Sequence, residues 1–217
     1  MAKIRQPIDP EKEARIIEVA MHEFAQHGYR DTKTENIATR AAVSKGLIFR
    51  YFKSKANLYL TTVRYTFAKI NQAADLSVWQ DSTDLKMMIV RGLRYKIQMQ
   101  LQYPDEFALA MQAYGDSSAL PEKLQPQVQK IWQDVVADSV PLLVTPILER
   151  LPMRPGVDPN NVRAMILALS SFIGEKSKVM IQANPHLKVA DFDGIVEQAQ
   201  ALMDIVEHGF LANETKA

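Results

Sequence analysis

Residues 32–58 read TKTENIATRAAVSKGLIFRYFKSKANL, and this stretch decides the fold. It holds two short helical patterns joined by a tight turn, with a third helix starting at once behind them. Thr32 is placed to cap the first helix, and Glu35 three residues on completes a capping box that gives two otherwise orphaned amides a partner. Ile37, Ala38 and Ala41 fall on one face at helical spacing. Ala42-Val43 makes the turn, with Val43 pointing back to the core, and Ser44 caps the second helix. There Leu47, Ile48 and Tyr51 supply the inward stripe while Lys45 and Arg50 face out. Ser54 caps the third helix, which carries Lys55 in its first turn. Small residues where two short amphipathic helices cross are what a helix-turn-helix needs.

The same ordered residues resemble the DNA-binding segment of the TetR/AcrR family of transcriptional regulators. Ile37-Ala38, Ala41-Ala42-Val43-Ser44, Gly46, Phe49, Tyr51-Phe52, Lys55 and Leu58 stand where that family has Ile-Ala, Ala-Gly-Val-Ser, Gly, an aromatic, Tyr-Phe, Lys and Leu. Many positions at fixed gaps make the match specific. The rest of the chain is similar to the family only in length and helical character. Two residues depart from the pattern. Ala42 replaces the usual turn Gly, so the turn is either strained or built without a positive φ. Phe49 replaces the usual Tyr and removes a hydroxyl that often reaches a phosphate.

Motif position implies that Lys45, Leu47 and Ile48 lie at the major groove and that Tyr51 and Lys55 reach phosphates. The Lys45 ammonium suits guanine N7 and O6, whereas Leu47 and Ile48 offer apolar contact, for instance with a thymine methyl. Arg50 suits either base or phosphate. Gly46 lets the helix backbone approach closely, and Thr34 is placed to give its hydroxyl or amide to a phosphate. With Lys33 and Ser44 these complete the candidate DNA-facing set. Ile48, Phe49 and Phe52 are read as core.

Charge agrees with this assignment. The net charge of the 217 residues is only +1, yet the first sixty hold eleven Lys/Arg against seven Asp/Glu. Between Tyr29 and Leu58 seven bases (Arg30, Lys33, Arg40, Lys45, Arg50, Lys53, Lys55) face only Asp31 and Glu35. A local positive field in a nearly neutral chain is an electrostatic footprint for phosphate.

Long 3.6-residue periodicities and only 8 Gly predict an all-α protein of about nine helices. It divides into a three-helix helix-turn-helix domain at 9–60 and a larger helical effector-binding and dimerisation domain at 61–217. With no Cys there is neither a disulfide nor a thiolate metal site, and a reducing, cytoplasmic setting is expected. The four His are scattered, so no metal site is expected, and no cofactor is implied. There is no HExxH, no GxSxG and no phosphate-binding Gly loop, so no catalytic residues are assigned and the protein is not expected to be an enzyme.

Along the chain, residues 1–8 read as an arm charged by Lys3 and Arg5. Asp9 caps helix 1 with Pro10 at its first position, Ile16, Ile17, Ala20 and Phe24 face inward, and Gly28 closes it. A helix from Lys55 toward Asn71 is the lever to the second domain, and Asp75 to Asp84, with its single Trp79, reads as a connection. Helices follow over about 83–102 and 105–114. The next begins near Pro121 or Pro126 and is expected to break between Val140 and Thr145, because interior prolines remove hydrogen bonds. The last two span about 159–183 and 189–212 and are apolar on more than one face, so a second copy is expected to cover them. Val162, Met165, Leu169, Ala199, Leu202 and Val206 are the candidate homodimer interface, and the family resemblance also implies a dimer through the last two helices. Met87, Met88, Tyr95, Met99, Phe107, Met111, Tyr114, Trp132 and Phe172 are the candidate wall of an effector pocket.

A dimer presents two reading helices about 34–36 Å apart and asks for a palindromic operator. The expected function is a repressor of double-stranded DNA released by a small molecule. The alternative is a regulator of the same fold controlled by a protein partner or without any ligand.

Overall fold

A computed structural model of the chain describes residues 8–115, 120–184, 187 and 189–208. Among them there is no strand. The elements are α1 (Pro10–Asp31), α2 (Thr34–Arg40), α3 (Lys45–Phe52), α4 (Lys55–Ala73), α5 (Ser77–Gln80), α6 (Leu85–Gln102), α7 (Pro104–Gly115), α8 (Gln125–Leu143), α9 (Thr145–Leu148), α10 (Pro159–Ala183) and α11 (Asp193–His208). A 3-10 turn, Val189–Phe192, leads into α11. The arm with Lys3 and Arg5, and residues 209–212 of the last expected helix, lie outside the described residues. No described helix is long and apolar enough to cross a membrane.

Helix ends follow local chemistry. Asp9 Oδ1 accepts from the amides of Glu11 and Lys12 at 3.1 and 3.3 Å, and Pro10 follows where its missing N–H costs nothing. Lys12 pairs with Asp9, and its hydrogen bond holds the Asp9 carboxyl below the ordinary range. Gly28, at φ 68, interrupts the regular helix of α1 before its last residues. The expected break in the long proline-bearing helix falls at Val144, between α8 and α9, with Pro146 in the first turn of α9. Asp158 caps α10 through the Asn160 amide at 2.9 Å.

The helices gather into two compact units. The first holds α1–α4, α7 and the first part of α8. Phe24 and Tyr59 are its largest fully buried side chains, meeting edge to face at 5.0 Å between ring centroids. Burying such a side chain stabilises by roughly 1.5–3 kcal/mol. Ile16, Ile17, Ala20, Leu58, Val63 and Phe67 complete the inward stripes of α1 and α4, joined by Leu109, Leu124 and Val128. A polar seam runs between α1, α4 and α7. Lys69 lies 3.0 Å from both Glu18 and Glu106, Tyr65 donates to Glu18 at 2.5 Å, and His22 meets Asp105 at 2.6 Å.

The second unit holds α5, α6, the end of α8, α9, α10 and α11. Its core is Met88, Ile97, Ile147, Ile166, Ile173, Phe192, Ala199 and Met203. The stretch expected to be a mere connection is corrected here. Trp79 on α5 is buried in this core, edge-on to Tyr95 at 5.4 Å. Gly92 of α6 makes room for it, since a Cβ there would fall 2.2 Å from the indole nitrogen.

Candidate nucleic-acid interface

The helix-turn-helix is built by burying one side of two short helices. Ile37, Ala38 and Ala41 on the first side and Ile48 and Phe52 on α3 are in the core, with Ile37, Ala41 and Ile48 fully enclosed. Ala42 turns the chain at φ 52, so the strained form of the turn is the one adopted. The Val43 amide donates to the Ala38 carbonyl at 2.9 Å and closes it. Ser44 caps α3 by accepting from the Leu47 amide at 3.1 Å, and Ser54 caps α4 through the Asn57 amide at 3.0 Å.

Two local expectations are corrected. Thr32 does not cap α2, which starts at Thr34 behind an N-cap Lys33 that makes no side-chain cap. Thr32 is buried instead at the end of α1, its hydroxyl 2.7 Å from the Gly28 carbonyl and 3.0 Å from that of Glu23. Phe49 is not core. It is 37% exposed, because at 100° per residue it sits well off the face shared by Ile48 and Phe52.

The exposed edge of α3 therefore carries Ser44, Lys45, Gly46, Phe49 and Arg50, with Leu47 half-buried beside them. Lys45 extends over the Phe49 ring, 5.7 Å from its centroid, and its ammonium meets Glu35 Oε1 at 2.5 Å. That hydrogen bond holds the Glu35 carboxyl below its ordinary range. Lys33 is exposed, whereas Thr34 is buried with its hydroxyl 3.2 Å from Glu35 Oε2. Ile48, placed at the groove by motif position, is enclosed and offers no outward contact.

Tyr51 and Lys55 sit where α3 and α4 meet α1. The Tyr51 hydroxyl accepts from the Asp9 amide at 3.0 Å, leaving its own proton for a further acceptor. Lys55 donates to the Arg30 carbonyl at 3.1 Å and covers the Tyr29 ring at 4.8 Å, and burial pushes its ammonium below the usual lysine range. Sequence reasoning missed Arg15, whose Nε reaches the Ala41 carbonyl, and Arg40, whose guanidinium meets the buried Glu23 carboxylate at 2.5 Å. Neither contact has a local signal, because each spans seventeen residues or more.

The candidate effector residues are drawn from both units. Phe107, Met111 and Trp132 belong to the first unit, and Met87, Met88, Tyr95, Met99 and Phe172 to the second. The Tyr114 side chain lies outside the described residues. Met88 and Met99 are core, while Met87 and Phe172 are 42% and 46% exposed. Within the second unit a groove of about 540 Å³ lies between α10 and the start of α11, lined by Phe172, Lys176, Val179, Asp191, Ile195 and Gln198. Of the candidate interface residues, Met165 is exposed, and Val162, Leu169, Leu202 and Val206 are half-buried. Ala199 is fully enclosed in the core of the second unit. On α10 and α11, Val179 and Ile205, 63% and 46% exposed, are outward apolar residues that the pattern did not single out.

A helix-turn-helix with one buried side and one cationic, exposed edge defines a nucleic-acid-reading class. Residues 16–62 match the family of bacterial regulatory proteins, tetR family. The HTH-type transcriptional regulator YuxN of Bacillus subtilis is 44% identical over 59 residues, which are 27% of this chain and 20% of that protein. The HTH-type transcriptional repressor SCO4008 of Streptomyces coelicolor is 34% identical over 88 residues, 40% of this chain and 44% of that one. The chain thus spans less than half the length of these relatives. The fold extends further. A TetR-family regulator from Mesorhizobium loti superposes with a TM-score of 0.69 over 93% of this chain and 98% of its own, at 17% identity. FadR of Bacillus subtilis, solved in complex with stearoyl-CoA, gives 0.62 over 91% and 99% at 16% identity. The helix-turn-helix segment, residues 16–62, matches that family, and the chain as a whole has the fold of the solved TetR-family structures.

Proposed function

We propose that this protein is a sequence-specific DNA-binding transcriptional repressor that acts as a homodimer on a palindromic operator. One observation carries the reading: the edge Lys45, Gly46, Phe49, Arg50 is exposed while Ile48 and Phe52 of the same helix are buried. In this reading α3 enters the major groove, Lys45 contacts base edges, Leu47 contacts apolar edges, and Lys33, Thr34, Ser44, Arg50, Tyr51 and Lys55 position the protein on the phosphates. Residues 9–60 form the DNA-binding part and 61–217 the effector-binding and dimerising part.

Exposed Met165, Phe172 and Val179 on α10 and Ile205 on α11 support the dimer, since an apolar stripe of that size calls for a cover. A relative of this fold that holds an acyl-CoA supports a small-molecule effector. Such a ligand releases DNA if it binds only the state whose reading helices are misplaced. A cytoplasmic location follows from the role.

Fluorescence anisotropy of labelled genomic duplexes against salt, with light scattering for mass, tests the proposal. Saturable binding by a dimer, with the affinity falling steeply with salt, is expected. A monomer, or binding that ignores sequence, contradicts it. A metabolite panel that raises the melting temperature and dissociates the duplex would identify the effector. A panel without response favours control by a protein partner or none.

A further inference from the structure

We propose that Glu35 and Lys45 act together as the reader of a single G·C base pair, the ammonium donating to guanine and the carboxylate accepting from cytosine. The inference rests on the DNA-binding reading above and assigns specificity within that site. Glu35 is an oddity there. It is one of only two acids among seven bases between Tyr29 and Leu58, and its carboxylate lies among groups proposed to meet phosphate. A carboxylate near a duplex weakens binding to every sequence, and Glu35, besides standing in the first turn of α2, is placed to offset that cost through discrimination.

The geometry is suited to that task. Both side chains are about half exposed, 59% for Glu35 and 50% for Lys45, and their charged ends are 2.5 Å apart. Each is fixed by a second neighbour, Glu35 Oε2 by the Thr34 hydroxyl at 3.2 Å and Lys45 by the Phe49 ring. The pair therefore holds a donor and an acceptor side by side at close to hydrogen-bond spacing.

On the major-groove edge of a G·C pair, guanine O6 and cytosine N4 are joined by an N–H···O bond of about 2.9–3.0 Å, so an acceptor and a donor also lie side by side at that spacing. The two edges are complementary. The ammonium has three protons. One is on Glu35, and two remain for guanine O6 and N7. A T·A pair also presents an acceptor beside a donor, in O4 and N6, but has a methyl where guanine has N7. An A·T or C·G pair presents the reverse order, which sets the carboxylate against an acceptor and leaves a desolvated charge unpaired.

The test is selection of bound duplexes from a random pool by the full chain, Glu35→Gln and Glu35→Ala, followed by affinities for the selected site and for its four versions at the one position. The expected result is a G·C requirement in each half-site for the native protein, where a swap costs roughly 5- to 150-fold. With Glu35→Gln or Glu35→Ala that cost should fall severalfold, Lys45 retaining part of the guanine preference and the other positions keeping theirs. Tighter binding by both variants with an unchanged base preference overturns the proposal and makes Glu35 a repulsive charge only. If the native protein enriches no sequence while remaining folded by circular dichroism, the DNA-binding reading fails, and this proposal fails with it.

Discussion

The Arg15 side chain donates from Nε to the carbonyl oxygen of Ala41 at 2.7 Å, so the supporting helix grips the reading motif by its backbone. Ala41 immediately precedes the residue at positive φ, and the bond therefore fixes the turn that sets the angle between α2 and α3. Arg15→Ala is expected to lower stability by about 1 kcal/mol, the contribution of one hydrogen bond at a partly exposed site. DNA affinity should fall with it. Urea unfolding and duplex titration check this, and an unchanged midpoint would show that the turn holds without the clamp.

Ala42 itself is held at φ 52, a region that costs an L-residue roughly 1–2 kcal/mol and glycine almost nothing. Ala42→Gly should raise stability by about 1 kcal/mol, part of the gain being lost to the freer unfolded chain. A denaturation midpoint that stays put or moves down would contradict the assignment of strain to this turn.

Gly46 has the opposite character. A Cβ placed there meets only the Ser44 hydroxyl, at 3.9 Å, so nothing in the subunit requires glycine inside α3. Gly46→Ala should stabilise the fold by about 0.5–1 kcal/mol and yet weaken DNA binding several-fold, because the methyl stands between the helix and the groove. Opposite signs in thermal unfolding and duplex affinity are the expected signature. If both improve together, α3 does not approach DNA by this edge.

Alkaline pH acts through Tyr59, whose phenol is pushed from its ordinary 10.0 to about 12 by burial, with the Tyr29 phenol adding to it. Tyr29 and Tyr65 are raised as well, the former by burial and the latter by its hydrogen bond to Glu18. A group raised on folding stabilises fully below its unfolded pKa and loses that contribution as pH climbs to the folded value. Stability should therefore decline between pH 10 and about 12. Tyr59→Phe should remove roughly 2–3 kcal/mol of that decline. Melting curves across this range, with an equal slope in the variant, would assign the loss elsewhere.

Much of this was legible from local chemistry. Asp9-Pro10, Ser44 and Ser54 mark helix starts because each oxygen needs only amides two or three residues away. The break at Val144 follows from prolines in the same way. What stayed hidden depends on distant partners. Thr32 looked like a cap until Glu23 and Gly28 took its hydroxyl, and Trp79 looked like a loop residue until Gly92 made room for it. Methionines and aromatics at helical spacing could not be sorted into wall and core, because Met88 and Met87 differ by one residue and by nearly all of their exposure. Phe49 alone was decidable, since its angle from Ile48 and Phe52 is fixed by helix geometry.

If the edge of α3 carrying Lys45 reads major-groove base edges in both copies of a dimer, both half-sites should respond to a block in that groove. Methylation interference on a selected duplex measures this most directly, since a methyl at guanine N7 blocks the major groove alone. Interference is expected at guanines in two half-sites about 34–36 Å apart, abolished as a signal in Lys45→Ala, which should bind weakly and without sequence preference. Interference confined to one site, placed in the minor groove, or identical for the native protein and Lys45→Ala would contradict it.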